Sequence, residues 1–136
     1  MAELEKDYCD DLLKDSTMFL QKMQEVQDCG GLNGTDLMFN LDVEALYDSL
    51  KRDQVKLAIL HATGHCRPNW TGDFVDWLME AIDMSLDAAV GMFKGRWYKS
   101  TDGVATGGKL CVYVANITVF WAFSIAIYNN KCKHII

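Results

Sequence analysis

The stretch TDGVATGGKLCVYVANITVFWAFSIAIY, residues 101–128, decides how the rest of the chain is read. A glycine-rich turn with one cation, Lys109, runs into nineteen residues, Leu110 to Tyr128, that carry no charge. A helix that is apolar all round must be buried in a core or in lipid. At helical rise this run covers roughly 30 Å, the thickness of a bilayer's hydrocarbon layer. Lys131 and Lys133 would form its polar cap, and Tyr113, Trp121 and Tyr128 would suit the interfaces. Asn116 is unfavourable at membrane depth. Dense β-branching (Val112, Val114, Ile117, Thr118, Val119) leaves a buried strand pair as a lesser alternative. Two main readings of 110–128 stay open: a central core helix, or a C-terminal membrane anchor.

The turn before the run resembles a phosphate-binding loop in part. Gly103, four intervening residues, Gly108 and Lys109 fit G-x-x-x-x-G-K, but Leu110 stands where the hydroxyl that binds magnesium is required. No strand pattern precedes the loop, so nucleotide binding is not expected.

The 136 residues suit one domain, 1–136, able to bury a sizeable core. Half of them are hydrophobic and 24 % are charged, which reads as globular. A net charge of −6 argues against nucleic acid as a partner, since that needs a basic stripe. The opening MAELEKDYCDD is charged from its third residue, so no signal peptide is expected. The five widely spaced cysteines, Cys9, Cys29, Cys66, Cys111 and Cys132, then read as free thiols in a reducing compartment. In such a chain the N-x-S/T matches at Asn33, Asn69 and Asn116 are fortuitous.

Periodicity predicts an all-α chain. Tyr8, Leu12, Phe19, Met23 and Val26 recur at helical spacing and predict a helix over 3–27, followed by a loop at 28–36. A second helix is expected from Asp42, its N-cap, through Val43, Leu46, Tyr47 and Leu50, and on through Leu57, Ile59 and Leu60 with a break near Asp53. TGHCRPN, residues 63–69, stops it. Thr71 then caps the clearest amphipathic helix, expected to run to about Gly95 with Phe74, Val75, Leu78, Met79, Ile82, Leu86, Ala89, Val90 and Phe93 on one stripe. Residues 95–108 read as a linker.

Few residues invite chemistry. His61 and His65 are four apart with Cys66 adjacent, a spacing that puts two imidazoles on one helix face, but neither a glutamate between them nor a partner cysteine pair accompanies them. Cys66 beside His65 is not a nucleophile–base pair, because such groups must meet through space. No enzyme, metal or cofactor is expected. Trp77, near the edge of its helix's apolar face, suits core packing or a groove that holds an amphipathic partner helix.

DGVATGGKL, residues 102–110, resembles the first homology motif of the Bcl-2 family of apoptosis regulators, particularly its myeloid cell leukaemia branch, D-G-V-x-N-W-G-R and an aliphatic residue. Asp102, Gly103, Val104 and Gly108 match, Lys109 stands for the arginine, and Thr106 and Gly107 replace asparagine and tryptophan. The resemblance implies a bundle of amphipathic helices around one apolar helix, with the family's later helices absent. It implies an antiapoptotic protein that sequesters the Bcl-2 homology region 3 helix of proapoptotic partners in a hydrophobic groove. Asp102, Gly103, Val104, Gly108, Lys109, Phe74, Leu78, Met79 and Ile82 are the residues it nominates. Lysine keeps the arginine's charge without its bidentate fork.

A second alignment in the same family matches WYKSTDG, through Trp97 and Gly103, to the second homology motif, and RDQVKLAILHATG, with Lys56 in the charged place, to the first. The apolar run is then the anchor. The family implies an intracellular, cytosolic protein that can associate with the mitochondrial outer membrane or endoplasmic reticulum. A homodimer stays open, and so short and divergent a chain suits a viral member. The alternative is a tail-anchored protein whose helical domain is structural only.

Overall fold

The computed structural model describes residues 1–9, 12–31, 33–35 and 42–130. Expectations placed on Asp10, Asp11, Leu32, Asp36, Lys131, Cys132 and Lys133, and on the Tyr128 side chain, lie outside what it describes. The described residues are mostly helical, as expected: α1 (Ala2–Tyr8), α2 (Ser16–Asp28), α3 (Leu46–Ser49), α4 (Arg52–Cys66), α5 (Gly72–Asp87) and α6 (Cys111–Asn130). An unexpected hairpin, β1 (Val90–Phe93) and β2 (Arg96–Lys99), interrupts them. The chain divides into two compact units, Asp11–Val43 and the remainder.

The smaller unit holds α2. Asp15 caps it, its carboxylate accepting from Met18 N at 2.9 Å. At the other end Gly30 takes φ +69, and Gly31 N donates to Val26 O at 2.8 Å, a Schellman closure that only a residue free to go left-handed allows. The single helix expected over 3–27 is therefore two. α1 ends at Tyr8, whose successor Cys9 closes it by donating to Glu5 O, and Asp15 starts a new helix.

In the larger unit α6 packs along α4 and α1. Its face Cys111, Val114, Ala115, Ile117 and Thr118 is buried. Opposite it stand Val55, Ala58, Ile59 and Ala62 of α4 and Leu4 and Tyr8 of α1, all buried. Alanines at 58, 62 and 115 let the helix backbones approach. Thr118 satisfies its buried hydroxyl on Val114 O at 2.7 Å, and Asn116 Nδ2 donates to Glu5 Oε1 at 2.6 Å. The second half of α6 is more open, with Phe123 and Ile125 exposed. Among the described residues no helix is long and apolar enough to cross a membrane.

Two boundaries differ from expectation. The helix expected from Asp42 is a short α3 and a long α4, separated at Leu50–Lys51 rather than near Asp53. On α4 only Ile59 of the expected Leu57, Ile59 and Leu60 is buried, because the core-facing stripe runs Val55, Ala58, Ile59, Ala62, Thr63. Thr71 does cap α5, accepting from Phe74 N at 3.3 Å, but α5 stops at Asp87 rather than near Gly95. Beyond it, Lys94 and Gly95 take φ +49 and +72, a two-residue turn of the kind that closes hairpins. The apolar stripe expected to continue through Val90 and Phe93 is thus a strand.

Candidate functional site: an apolar groove between α5 and the start of α6

The groove follows from how residues 100–110 return from the hairpin. Gly103 takes φ +75 and runs so close to α3 that a Cβ there would sit 3.1 Å from Tyr47 O. Val104 N donates to that same carbonyl at 2.8 Å, and its side chain is buried. Asp102 ties the segment to the start of α4: it pairs with Lys51 at 2.6 Å and accepts from Gly103 N at 3.0 Å and Arg52 N at 3.4 Å. The Lys51 hydrogen bond, then the Gly103 amide, hold the Asp102 carboxyl below its ordinary pKa. So Asp102, Gly103 and Val104 position the loop through contacts inside the protein.

Past this clasp, the loop and α5 enclose a cleft of about 320 Å³. Ile82, Leu86 and Ala89 line it from the α5 side, Val104, Ala105, Gly108 and Leu110 from the loop, and Cys111 and Val114 from α6. The lining is almost wholly apolar. Of the nine nominated residues the cleft brings together Ile82, Val104 and Gly108. Lys109 lies between two lining residues, is exposed, and meets no carboxylate among the described residues. Leu78 and Met79 are half-buried and pack against the core, and Phe74 stands at the far end of α5. There its ring lies 4.8 Å from the half-buried Trp70 and 5.6 Å from the exposed Trp77, centroid to centroid.

Leu86, Ala89, Ala105, Leu110, Cys111 and Val114, which also line the cleft, were not nominated from the sequence. Leu86 and Ala89 were visible on the α5 stripe, but nothing in the periodicity says which stripe residues meet the loop. One side chain holds this end of α5 in place. Arg52 of α4 pairs with Asp87 at 2.7 Å and donates to Leu86 O and Ser100 O, each at 3.0 Å, with its own side chain largely covered. Lys99 also reaches Asp87, and the hydrogen bonds from Lys99 first and Arg52 second hold the Asp87 carboxyl below its ordinary pKa.

A second cleft, of about 500 Å³, is lined by charged groups of α4, α5 and the 100–102 loop. Its cations are matched within the protein, Lys51 to Asp102, Arg52 to Asp87 and Lys56 to Asp83. Both histidines of the pair on α4 are exposed. His61 Nδ1 and the Tyr8 hydroxyl share a 2.8 Å hydrogen bond, the His61 and His65 rings stack, and Phe120 meets Tyr8 edge-on. Burial pushes the Tyr8 phenol above its ordinary pKa. Among the described residues no group of three His, Cys, Asp or Glu could hold a metal ion. Cys29 and Cys111 are free thiols, the first exposed and the second buried. Trp97, which the second alignment matches to a homology motif, lies on β2 and is exposed. Comparison with protein-family models, curated proteins and solved structures finds no match to this chain.

Proposed function

We propose that this chain is a non-enzymatic binding protein that holds the amphipathic helix of a partner in the groove between α5 and the start of α6. The observation that carries the reading is the apolar cleft bounded by Ile82, Leu86, Val104 and Leu110, with the exposed Lys109, which meets no carboxylate among the described residues, between the lining residues Gly108 and Leu110. A partner helix would seat apolar side chains in the cleft and set a carboxylate against Lys109, the helix-in-groove mode of recognition. The resemblance of DGVATGGKL to the Bcl-2 homology motif makes the finer reading an antiapoptotic Bcl-2-like protein, its partners proapoptotic helices of homology region 3. The burial of Val114, Ala115 and Ile117 against α4 and α1 favours the central-helix reading of α6 over the tail-anchored alternative.

Titration of the chain with a panel of such helices, followed by fluorescence anisotropy, tests the reading. Binding in the micromolar range or tighter is expected for at least one of them. Lys109→Glu should weaken it by about 2 kcal/mol, while Lys22→Glu, on α2, leaves it unchanged. A panel that fails to bind below roughly 100 µM, where ΔG is only about −5 kcal/mol, removes the proposal.

A further inference from the structure

The β1–β2 hairpin carries chemistry that the groove does not use. Every residue of both strands is exposed. The register pairs Met92 with Trp97 and Phe93 with Arg96, so the apolar groups Val90, Met92 and Trp97 share one face and Phe93 and Tyr98 the other. Phe93 and Trp97, flanking the turn, are 63 % and 71 % exposed. Two-stranded hairpins are marginal without a surface to pack on. Among the described residues this one is tied at its root, by Ser100 N to Ala89 O, by the Arg52–Ser100 bond and by the Lys99–Asp87 pair. Its charge is opposite to that of the chain. Residues 88–101 hold Lys94, Arg96 and Lys99 and no acid, in a protein of net charge −6. Lys99 is engaged at the root, whereas Lys94, its ammonium 5.4 Å from the centroid of the Phe93 ring, and Arg96 meet no carboxylate among the described residues and stand at the tip beside the two aromatic rings.

We propose that the hairpin tip is a contact for an anionic lipid surface. A protein groove would cover one face of a ribbon, whereas this ribbon exposes apolar side chains on both. A bilayer interface surrounds an inserted tip on all sides, takes aromatic rings at headgroup depth, and attracts Lys and Arg to anionic lipid. The net-negative body keeps the rest of the protein off that surface, so the contact is confined to the tip. This role is independent of the groove.

Co-sedimentation of the full chain with vesicles of phosphatidylcholine alone, or with about 30 % phosphatidylserine, tests it. Binding to the mixed vesicles is expected to exceed binding to phosphatidylcholine by on the order of 20-fold, and to fall with added salt. Lys94→Glu with Arg96→Glu should abolish that preference. Phe93→Ser with Trp97→Ser should reduce binding to mixed vesicles by at least about tenfold. Because these side chains are exposed and their contacts stay within the hairpin tip, both variants should keep the wild-type circular dichroism and melting temperature. A blue shift of tryptophan emission on vesicle binding should be lost in Trp97→Phe. Three results overturn the proposal: equal binding to the two vesicle types, binding that persists in the serine variant, and absence of vesicle binding by a folded chain. The last hands the hairpin to a protein partner.

Discussion

Arg52 is the side chain on which the groove's α5 wall depends, and its removal has a calculable cost. It donates to two backbone carbonyls, Leu86 O and Ser100 O, at 3.0 Å each, from a side chain only 18 % exposed. A hydrogen bond from a charged donor contributes about 1.5 kcal/mol at the low end of its range, so the pair contributes about 3. Arg52 Nε is buried with no hydrogen-bond partner among the described residues, and losing that desolvation penalty returns about 1 kcal/mol. The Asp87 pair lies in water and is left out of the sum. Arg52→Met, which keeps the aliphatic stem, should therefore destabilise the protein by about 2 kcal/mol, or lower Tm by roughly 10 °C in a unit of this size. Urea denaturation at constant m-value measures it. Arg52→Lys keeps the charge but loses the fork, and should fall between the two. Partner-helix affinity should drop with Arg52→Met, because the last turn of α5 is no longer held to α4. A loss below about 0.5 kcal/mol, within the range of ordinary surface substitutions, or an Arg52→Lys protein as stable as wild type, refutes the reasoning.

Gly103→Ala should cost roughly 1–3 kcal/mol by thermal melting, because φ +75 and the nearby Tyr47 carbonyl both exclude a Cβ; a neutral result would show that the loop relaxes. Tyr8→Phe should lose about 1 kcal/mol with the His61 hydrogen bond. It should also remove an alkaline loss of stability. Burial raises the Tyr8 pKa, so its contribution is fully present below the unfolded value near 10 and lost as pH rises through the folded one. For Asp102 the sign is opposite. Its depressed pKa means that the stability from the Lys51 and Gly103 contacts is present above the unfolded value of about 3.9 and lost as pH falls through the folded one. Asp102→Asn should accordingly narrow the gap in denaturation midpoint between about pH 7 and pH 3.

Much of α5 was legible in the sequence, since Thr71 supplies a local cap and the Val75, Leu78, Ile82, Leu86 stripe a period. Its end was not. Val90 and Phe93 continue a helical stripe numerically, but β-prone neighbours and the Lys94–Gly95 turn pull them into a ribbon whose pairing partner lies beyond the window that periodicity reads. The break between α1 and α2 was hidden similarly, for Leu12 fits the helical spacing of Tyr8 and Phe19 although Asp15 restarts the helix. The site was half legible. Asp102, Gly103 and Val104 stood out as a motif, and the structure places them in a clasp on α3 and α4, while Leu86 and Ala89, visible on the α5 stripe, carry no local mark of meeting the loop.

By itself the sequence determined that this is a largely helical protein with one apolar helix near its end, because spacing and capping act within a turn or two of the chain. Which face of that helix is buried, and that Arg52 joins α4 to the end of α5, were decided only in three dimensions. So was the concentration of positive charge at an exposed aromatic tip. Those outcomes depend on residues tens of positions apart meeting in space, and no local pattern encodes which of several equally apolar stripes will find a partner.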